Sequence, residues 1–83
     1  MTRLIQPPPE LTVELDAQGA PGRITGGALR GDTVPLSRWL VDQDWWDKPV
    51  HREYWKVLIS ELLLAEIYHD LTDDRWYLER LYD

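Results

Sequence analysis

Hydrophobic and polar residues alternate along several segments of this chain. From Leu11 to Asp16, every second residue is Leu or Val, and the residues between them are Thr, Glu or Asp. A period of two is typical of a β-strand with one buried face. The alternation recurs over residues 34–41, 53–58 and 75–82, and the last two segments are rich in the Trp, Tyr and Val that favour strands. We therefore predict that the core includes Trp55, Val57, Ile67, Trp76 and Leu78.

Turn-forming residues separate these predicted strands. Residues 16–22 and 26–32 are rich in Gly, Ala, Pro and Asp, and the stretch 23–25 between them is predicted to return as the second strand of a weak hairpin. The strand over 34–41 is predicted to end in the acidic run 42–44. In the last strand, the alternation predicts one face formed by Trp76, Leu78, Arg80 and Tyr82, and another formed by Tyr77, Glu79 and Leu81.

Residues 59–71 are compatible with two structures. The apolar side chains in this segment form a helical stripe, and Ser60 is a suitable N-cap. The stretches 54–60 and 62–71 also have matching lengths and could pair as a hairpin about Ser60 and Glu61, although no Asn-Gly or Asp-Gly marks the turn. The pattern alone leaves the helix and the hairpin open.

The composition indicates one small domain. The chain has 83 residues, and its first 38 contain all five Gly and five of the six Pro but no aromatic residue. Residues 39–83 contain all five Trp, all four Tyr and the whole net charge of −6. Neither half could bury enough surface to fold alone. We expect residues 1–10, with three consecutive Pro, to form an extended lead-in and residues 11–83 to form a single β domain.

Five motifs in the second half stand at a characteristic spacing. They are RW at Arg38–Trp39, WW at Trp45–Trp46, YWKV at Tyr54–Val57, EIYHDL at Glu66–Leu71 and RWYLERLYD at Arg75–Asp83. This arrangement resembles a small uncharacterised bacterial domain family whose members occur alone or beside an ImuB-like protein, a relative of the Y-family translesion DNA polymerases. The resemblance covers residues 36–83 and implies an association with DNA-damage tolerance. It also favours the hairpin over the helix at 59–71.

We therefore predict an all-β fold. It is a small antiparallel meander or SH3-like barrel of about five or six strands, built from the short alternating segments described above. The alternative is an α+β fold with a helix at residues 59–71.

The residue types give no sign of catalysis. Cysteine is absent, which excludes disulfides, thiol catalysis and Cys-ligated metals. His51 and His69 lack partners at the spacing of a metal site or of a nucleophile and its base, and the acidic run 42–47 lacks the glycine and the final glutamate of a calcium loop. The glycines fit no phosphate-binding motif. We predict a non-enzymatic protein without a metal or a cofactor.

Exposed aromatic residues are the most informative candidates for function. Nine aromatic side chains are too many for a core of this size, and the neighbours Trp45 and Trp46 would point to opposite faces of a strand. Exposed Trp beside Arg is typical of protein-interface hot spots. We therefore predict that Trp45, Trp46, Arg38 and Arg52 contact a protein partner, with a translesion polymerase complex as the context that the resemblance implies. Packing of both Trp side chains as a lid over the open end of a barrel is the structural alternative.

A nucleic-acid-binding small β-barrel is the alternative function. Arg residues interleaved with aromatic residues could stack on bases. However, the isoelectric point near 4.7 means that the overall field of the protein repels phosphate. In small β domains, Arg beside Trp more commonly forms a cross-strand pair in which the guanidinium covers the ring. We therefore expect negligible direct binding of nucleic acid.

No segment of the sequence has the features of a membrane span or of a secretion signal. The apolar runs are well short of the about 18 residues that a membrane span needs, and residues 1–10 lack the apolar region of a signal peptide. We expect a cytoplasmic protein without a membrane partner.

Overall fold

Seven antiparallel β-strands make up the structure, a computed structural model that describes residues 2–45 and 48–82, with the side chains of residues 2–43 and 49–82. The strands are β1 (Thr2–Leu4), β2 (Glu10–Leu15), β3 (Pro21–Gly27), β4 (Gly31–Trp45), β5 (Lys48–Ile59), β6 (Leu63–Asp70) and β7 (Arg75–Tyr82). The described residues contain no helix. They therefore contain no helix that is long and apolar enough to cross a membrane. The all-β prediction is confirmed and the α+β alternative is wrong.

Six of the strands close into a barrel consistent with the predicted small SH3-like fold. Their order is β7-β2-β3-β4-β5-β6, and β6 pairs with β7 to complete the circle. β1 is an additional strand that pairs with residues 80–82 of β7. β2 pairs with residues 76 and 77 on the same edge of β7. Backbone hydrogen bonds from Ile5 N to Glu79 O and from Leu78 N to Pro9 O hold the link between β1 and β2 against β7.

The barrel interior contains the core that the alternation predicts. Trp55 and Val57 of β5, Ile67 of β6, and Trp76 and Leu78 of β7 are all buried, so this prediction is confirmed. Further buried apolar side chains complete the cluster; they are Leu11, Ala20, Ile24, Ile59 and Ala65.

The segment 59–71 forms a hairpin about Ser60 and Glu61. Both residues have positive φ, 51° and 62°, and Leu62 N donates to Ile59 O over 3.0 Å. Two consecutive residues with positive φ define a type I′ turn, which matches the twist of paired strands. Asn-Gly is the usual sequence of such a turn. Ser60 N also donates to Asp32 O, so β4 holds the turn in place without a glycine in the turn itself.

A β-bulge in β7 changes which side chains face the core. Ile67 lies opposite Leu78 but Glu66 lies opposite Arg80, so Glu79 is the extra residue. After the bulge the alternation is shifted by one position, and Leu81 packs against the core. The prediction that Arg80 and Tyr82 share a face with Leu78 is therefore wrong.

β4 continues through the acidic run in which it was predicted to end. Its backbone pairs with β5 as far as Trp45 opposite Lys48, and Asp42 lies opposite His51. Asp has a low preference for strands, which is why the sequence predicts an end here. In the structure, Asp42 Oδ1 is 2.6 Å from His51 Nδ1, so the partner strand contacts this side chain. The predicted end of this strand at 42–44 is wrong.

Candidate interaction site

Among the residues that the structure describes, no strand lies beside one edge of β4 over most of its length. β5 covers one edge from Thr33 onward, whereas β3 pairs with the other edge through Gly31 and Asp32 alone. The reason is that β3 begins at Pro21, whose carbonyl accepts a hydrogen bond from Thr33 Oγ1 at 2.8 Å. Within the described part of the chain, the edge of β4 from residue 34 to residue 42 has no paired strand. We call these residues the free edge.

β4 and β5 also extend beyond the rest of the sheet. β6 covers β5 as far as Arg52, which lies opposite Asp70, and Leu71 N donates to His51 O just beyond that point. Residues 42–45 and 48–51 then continue as a two-stranded arm. At about 3.3 Å per residue, the arm projects about 13 Å past the last pair of β5 with β6.

The two halves of the free edge differ in how well they could accept another strand. In the first half, Pro35 lacks an N–H, and the register shift about Leu36 makes the backbone irregular. Both features protect an edge from pairing with another strand. From Arg38 to Asp42 the strand is regular. Here Trp39 is 37% exposed and Leu40 is 58% exposed. Exposed apolar side chains on an unprotected edge are typical of a surface to which another strand binds.

An aromatic row crosses the outer face of the sheet and ends at this edge. Trp39, Tyr54, Tyr68 and Tyr77 lie directly opposite one another on β4, β5, β6 and β7. Their successive ring centroids are 5.5, 5.1 and 5.2 Å apart. Tyr54 and Tyr68 are buried between their neighbours, so Trp39 is the member of the row that is exposed beside the free edge.

Arg52 covers the middle of the aromatic row. Its guanidinium carbon is 4.5 Å from the centroid of Tyr68, and Nη1 donates to Tyr54 Oη at 3.2 Å. Tyr54 Oη in turn donates to Glu79 Oε1 at 3.1 Å. Burial raises the pKa of Tyr54 and raises that of Tyr68 to about 12, so both phenols are neutral at physiological pH. Burial acts to lower the pKa of Arg52, but its hydrogen bond to Tyr54 and the electrostatic interactions with its neighbours outweigh this effect and raise it, so Arg52 stays charged.

Arg38 lies on the opposite face of the β4–β5 hairpin, the face that carries Trp55. Its Nη2 is 2.6 Å from Glu53 Oε2, and its guanidinium carbon is 5.8 Å from the ring centroid of Trp55, the residue directly opposite on β5. Glu53 also accepts a hydrogen bond from Trp55 Nε1 at 2.9 Å. This is the cross-strand pair of Arg and Trp that the sequence led us to expect.

The predicted interaction residues do not form one cluster. Arg38 and Arg52 are on opposite faces, and each already contacts a carboxylate and an aromatic ring. Trp45 is described through its backbone, at the end of β4, and Trp46 lies outside the described residues. The question of which of these two Trp side chains faces solvent also lies outside the described residues.

A cleft of about 330 Å³ lies between β2 and the start of β7. His69 and Trp76 line it, with ring centroids 4.7 Å apart, and Asp74 Oδ1 is 2.6 Å from His69 Nε2. An aspartate can orient a histidine, but such a pair needs a nucleophile or a metal to support catalysis. No group of three or more metal-ligating side chains is present among the described residues.

Sequence reasoning missed Leu40 and the free edge. Leu40 belongs to an alternating segment, but its inner-side position, opposite Glu53, lies past the last residue of β4 that pairs with β3, and the side chain is exposed. A signal was present, because Arg38, Leu40 and Asp42 occupy alternate positions and two of them are charged. A run of this kind cannot face a closed core along its whole length.

Comparison of the chain with known proteins gives no relative from which to infer function: no family model, no curated protein and no solved structure matches it significantly. The candidate site therefore has to be interpreted from its own geometry.

Proposed function

We propose that this chain is a non-enzymatic interaction module that binds an extended protein segment along the free edge of β4. The observation that carries the proposal is the regular stretch from Arg38 to Asp42: its edge away from β5 pairs with no strand in the described part of the chain, and Leu40 is exposed at its centre. A segment added there would gain main-chain hydrogen bonds along the edge, while the alternate side chains of β4 would select its residues.

The two faces of the edge offer different contacts to such a segment. On the outer face, Trp39 ends the aromatic row and Val41 is half-buried beside it, so an apolar or aromatic partner side chain could extend the row. On the other face, Leu40 stands between Arg38 and Asp42. The site therefore favours a segment with apolar residues flanked by charges of both signs, rather than a purely hydrophobic strand.

The electrostatics and the aromatic packing support a protein partner over nucleic acid. The net charge is −6, and Arg23, Arg38 and Arg52 each form an ion pair with a carboxylate. Tyr54 and Tyr68 are covered by neighbouring rings and by Arg52, which leaves little of their faces for a base to stack on. As a cellular context we propose DNA-damage tolerance beside a translesion polymerase, on the resemblance of residues 36–83 alone.

Capture of a partner from extracts of the native cells tests the proposal. The full chain is the bait, and Leu40→Asp places a charge at the centre of the free edge. Leu62→Asp is the matched control, because Leu62 is 89% exposed at the turn between β5 and β6. We expect a protein that the parent and Leu62→Asp capture and that Leu40→Asp loses. Equal capture by both variants would remove the free edge as the site.

Fluorescence anisotropy with labelled oligonucleotides tests the alternative function. We expect negligible binding of single- or double-stranded DNA at about 150 mM salt, where a Debye length of about 8 Å screens weak surface attraction. Micromolar or tighter binding under these conditions would favour the nucleic-acid-binding barrel instead.

A further inference from the structure

We infer that the strand that completes the free edge is β4 of a second copy of this chain, paired antiparallel about Leu40. The inference rests on the proposed function, because it names the occupant of the same edge. Two identical strands that meet across a two-fold axis use the same surface twice, so the contact must be self-complementary.

The sequence of the regular stretch has this self-complementarity. When Leu40 lies opposite Leu40 of the second copy, antiparallel register places Arg38 opposite Asp42 of that copy, and by symmetry Asp42 opposite its Arg38. Directly opposite residues share a face, so these pairs lie together on the inner side. Trp39 then lies opposite Val41 on the outer side, where it continues the aromatic row into the second copy.

The neighbouring registers lack this match. A two-fold axis at Trp39 places Arg38 opposite Leu40, and an axis at Val41 places Leu40 opposite Asp42. Each of these arrangements sets a charged group directly against an apolar side chain, which adds a desolvation cost without a compensating partner. Charge complementarity therefore selects the register centred on Leu40.

The existing contacts leave room for the new ion pairs. Arg38 is half-exposed while it binds Glu53, and Asp42 is largely exposed while it contacts His51. In the dimer, each Arg38 would lie between Glu53 of its own chain and Asp42 of the second copy. A guanidinium has five N–H donors and can serve both carboxylates.

Complementary charge reversals test this register. Arg38→Glu alone would place Glu opposite Asp42 twice, and Asp42→Arg alone would place Arg opposite Arg38 twice. We expect each variant to self-associate at least about tenfold more weakly than the parent in sedimentation velocity, because two attractive cross-strand pairs become repulsive. An equimolar mixture of the two variants restores both attractive pairs and should associate as the parent does.

Matched controls and a rescue separate binding from folding. Arg30→Glu and Glu61→Arg make the same changes in net charge at exposed positions outside the regular stretch from Arg38 to Asp42, and they should leave association unchanged. Misfolded variants could not regain association on mixing, so the mixture remains decisive even where Arg38→Glu loses some stability with its Glu53 contact. Circular dichroism of each variant before mixing records its fold.

A cross-link provides an independent measurement of the same contact. The chain has no cysteine, so Leu40→Cys introduces a single thiol. Opposite residues on paired strands have Cβ atoms about 4.5–5.5 Å apart, within the reach of a short bismaleimide. We expect covalent dimers from Leu40→Cys at protein concentrations at which the highly exposed Leu62→Cys gives none.

The outcomes distinguish the two proposals. A chain that stays monomeric up to millimolar concentration, a mixture that does not associate, or equal cross-linking at positions 40 and 62 would overturn the dimer. In each of these cases, a cellular protein whose capture depends on Leu40 would still support strand binding at the free edge. Absence of both self-association and Leu40-dependent capture would refute the proposed function as well.

Discussion

Leu78→Ala is a direct test of the core described above. Leu78 is 2% exposed, lies opposite Ile67, and its backbone N–H donates to Pro9 O just before the bulge in β7. Truncation of a buried Leu to Ala costs about 2–5 kcal/mol, because the transfer free energy is lost and a cavity remains. A domain of this size has a total stability of roughly 4–12 kcal/mol, so the change removes a large part of it.

Thermal and urea denaturation followed by circular dichroism measure this loss. At roughly 4–8 °C per kcal/mol, a cost of about 3 kcal/mol lowers the Tm by roughly 12–24 °C. Leu62→Ala makes the same chemical change at a position that is 89% exposed, and it should alter the free energy of unfolding by less than about 0.5 kcal/mol. A Leu78→Ala protein that unfolds within about 1 kcal/mol of the parent would show that β7 does not pack in this register.

Three further changes examine the turn, the end of the sheet and the aromatic row. Gly31→Ala should lower the free energy of unfolding by roughly 1–3 kcal/mol in urea titrations. The reason is that Gly31 has a φ of 149°, and a Cβ there would come within 2.1 Å of Ser60 Oγ. An unchanged free energy of unfolding would contradict this packing. Deletion of residues 80–83 should destabilise the fold measurably, since it removes every residue that pairs with β1 and also removes Leu81 from the core; unchanged stability would mean that the sheet ends earlier. The pKa of Tyr68, raised to about 12 by burial, lies above the ordinary value of 10, so its contribution to stability is complete below pH 10 and is lost as the pH rises towards 12. Tyr68→Phe should therefore lose less stability than the parent between pH 10 and pH 12. Parallel dependence of the unfolding free energy on pH in the two proteins would refute the raised pKa of Tyr68.

Much of the barrel could be predicted because its strands carry local signals. Trp55 with Val57, and Trp76 with Leu78, occupy alternate positions in short apolar runs, and burial follows from that spacing whatever strand lies beside them. The turn ahead of β7 is equally local, because Asp73 Oδ1 accepts the backbone N–H of Arg75 in the way that acidic turn residues commonly do.

The features that were mispredicted depend on partners distant in sequence. β7 pairs with β6 on one edge and with β1 and β2 on the other, and the bulge at Glu79 accommodates both sets of partners. No residue within β7 indicates this bulge in the sequence. The same is true of β4, whose acidic end is ordered by β5 opposite it. Strand length in a hairpin is a property of two segments, and a single segment does not determine it.

The candidate site was only partly predictable for the same reason. Arg beside Trp indicated a cross-strand pair of the kind that Arg38 forms with Trp55. The contact of Arg52 with Tyr68, and the placement of the two Arg residues on opposite faces, depend on the register between strands. The free edge depends on where β3 begins, and residues 16–22 give only a diffuse turn signal there. An unpaired edge is an absence of pairing, so the local sequence pattern does not reveal it directly.

The position of β7 in the sheet has a consequence for the order of folding. The six strands from β2 to β7 form a meander in which each strand pairs with the next, so its hairpins can form rapidly from contacts close in sequence. Closure of the barrel instead brings β2 against β7 across almost the whole chain, through two residue pairs, and must overcome a large loop entropy. We expect the meander to form first, and the pairing of β1 and β2 with β7 to form last. Until β2 reaches β7, Trp76 remains uncovered on the β2 side, and the open sheet is the species most prone to aggregate.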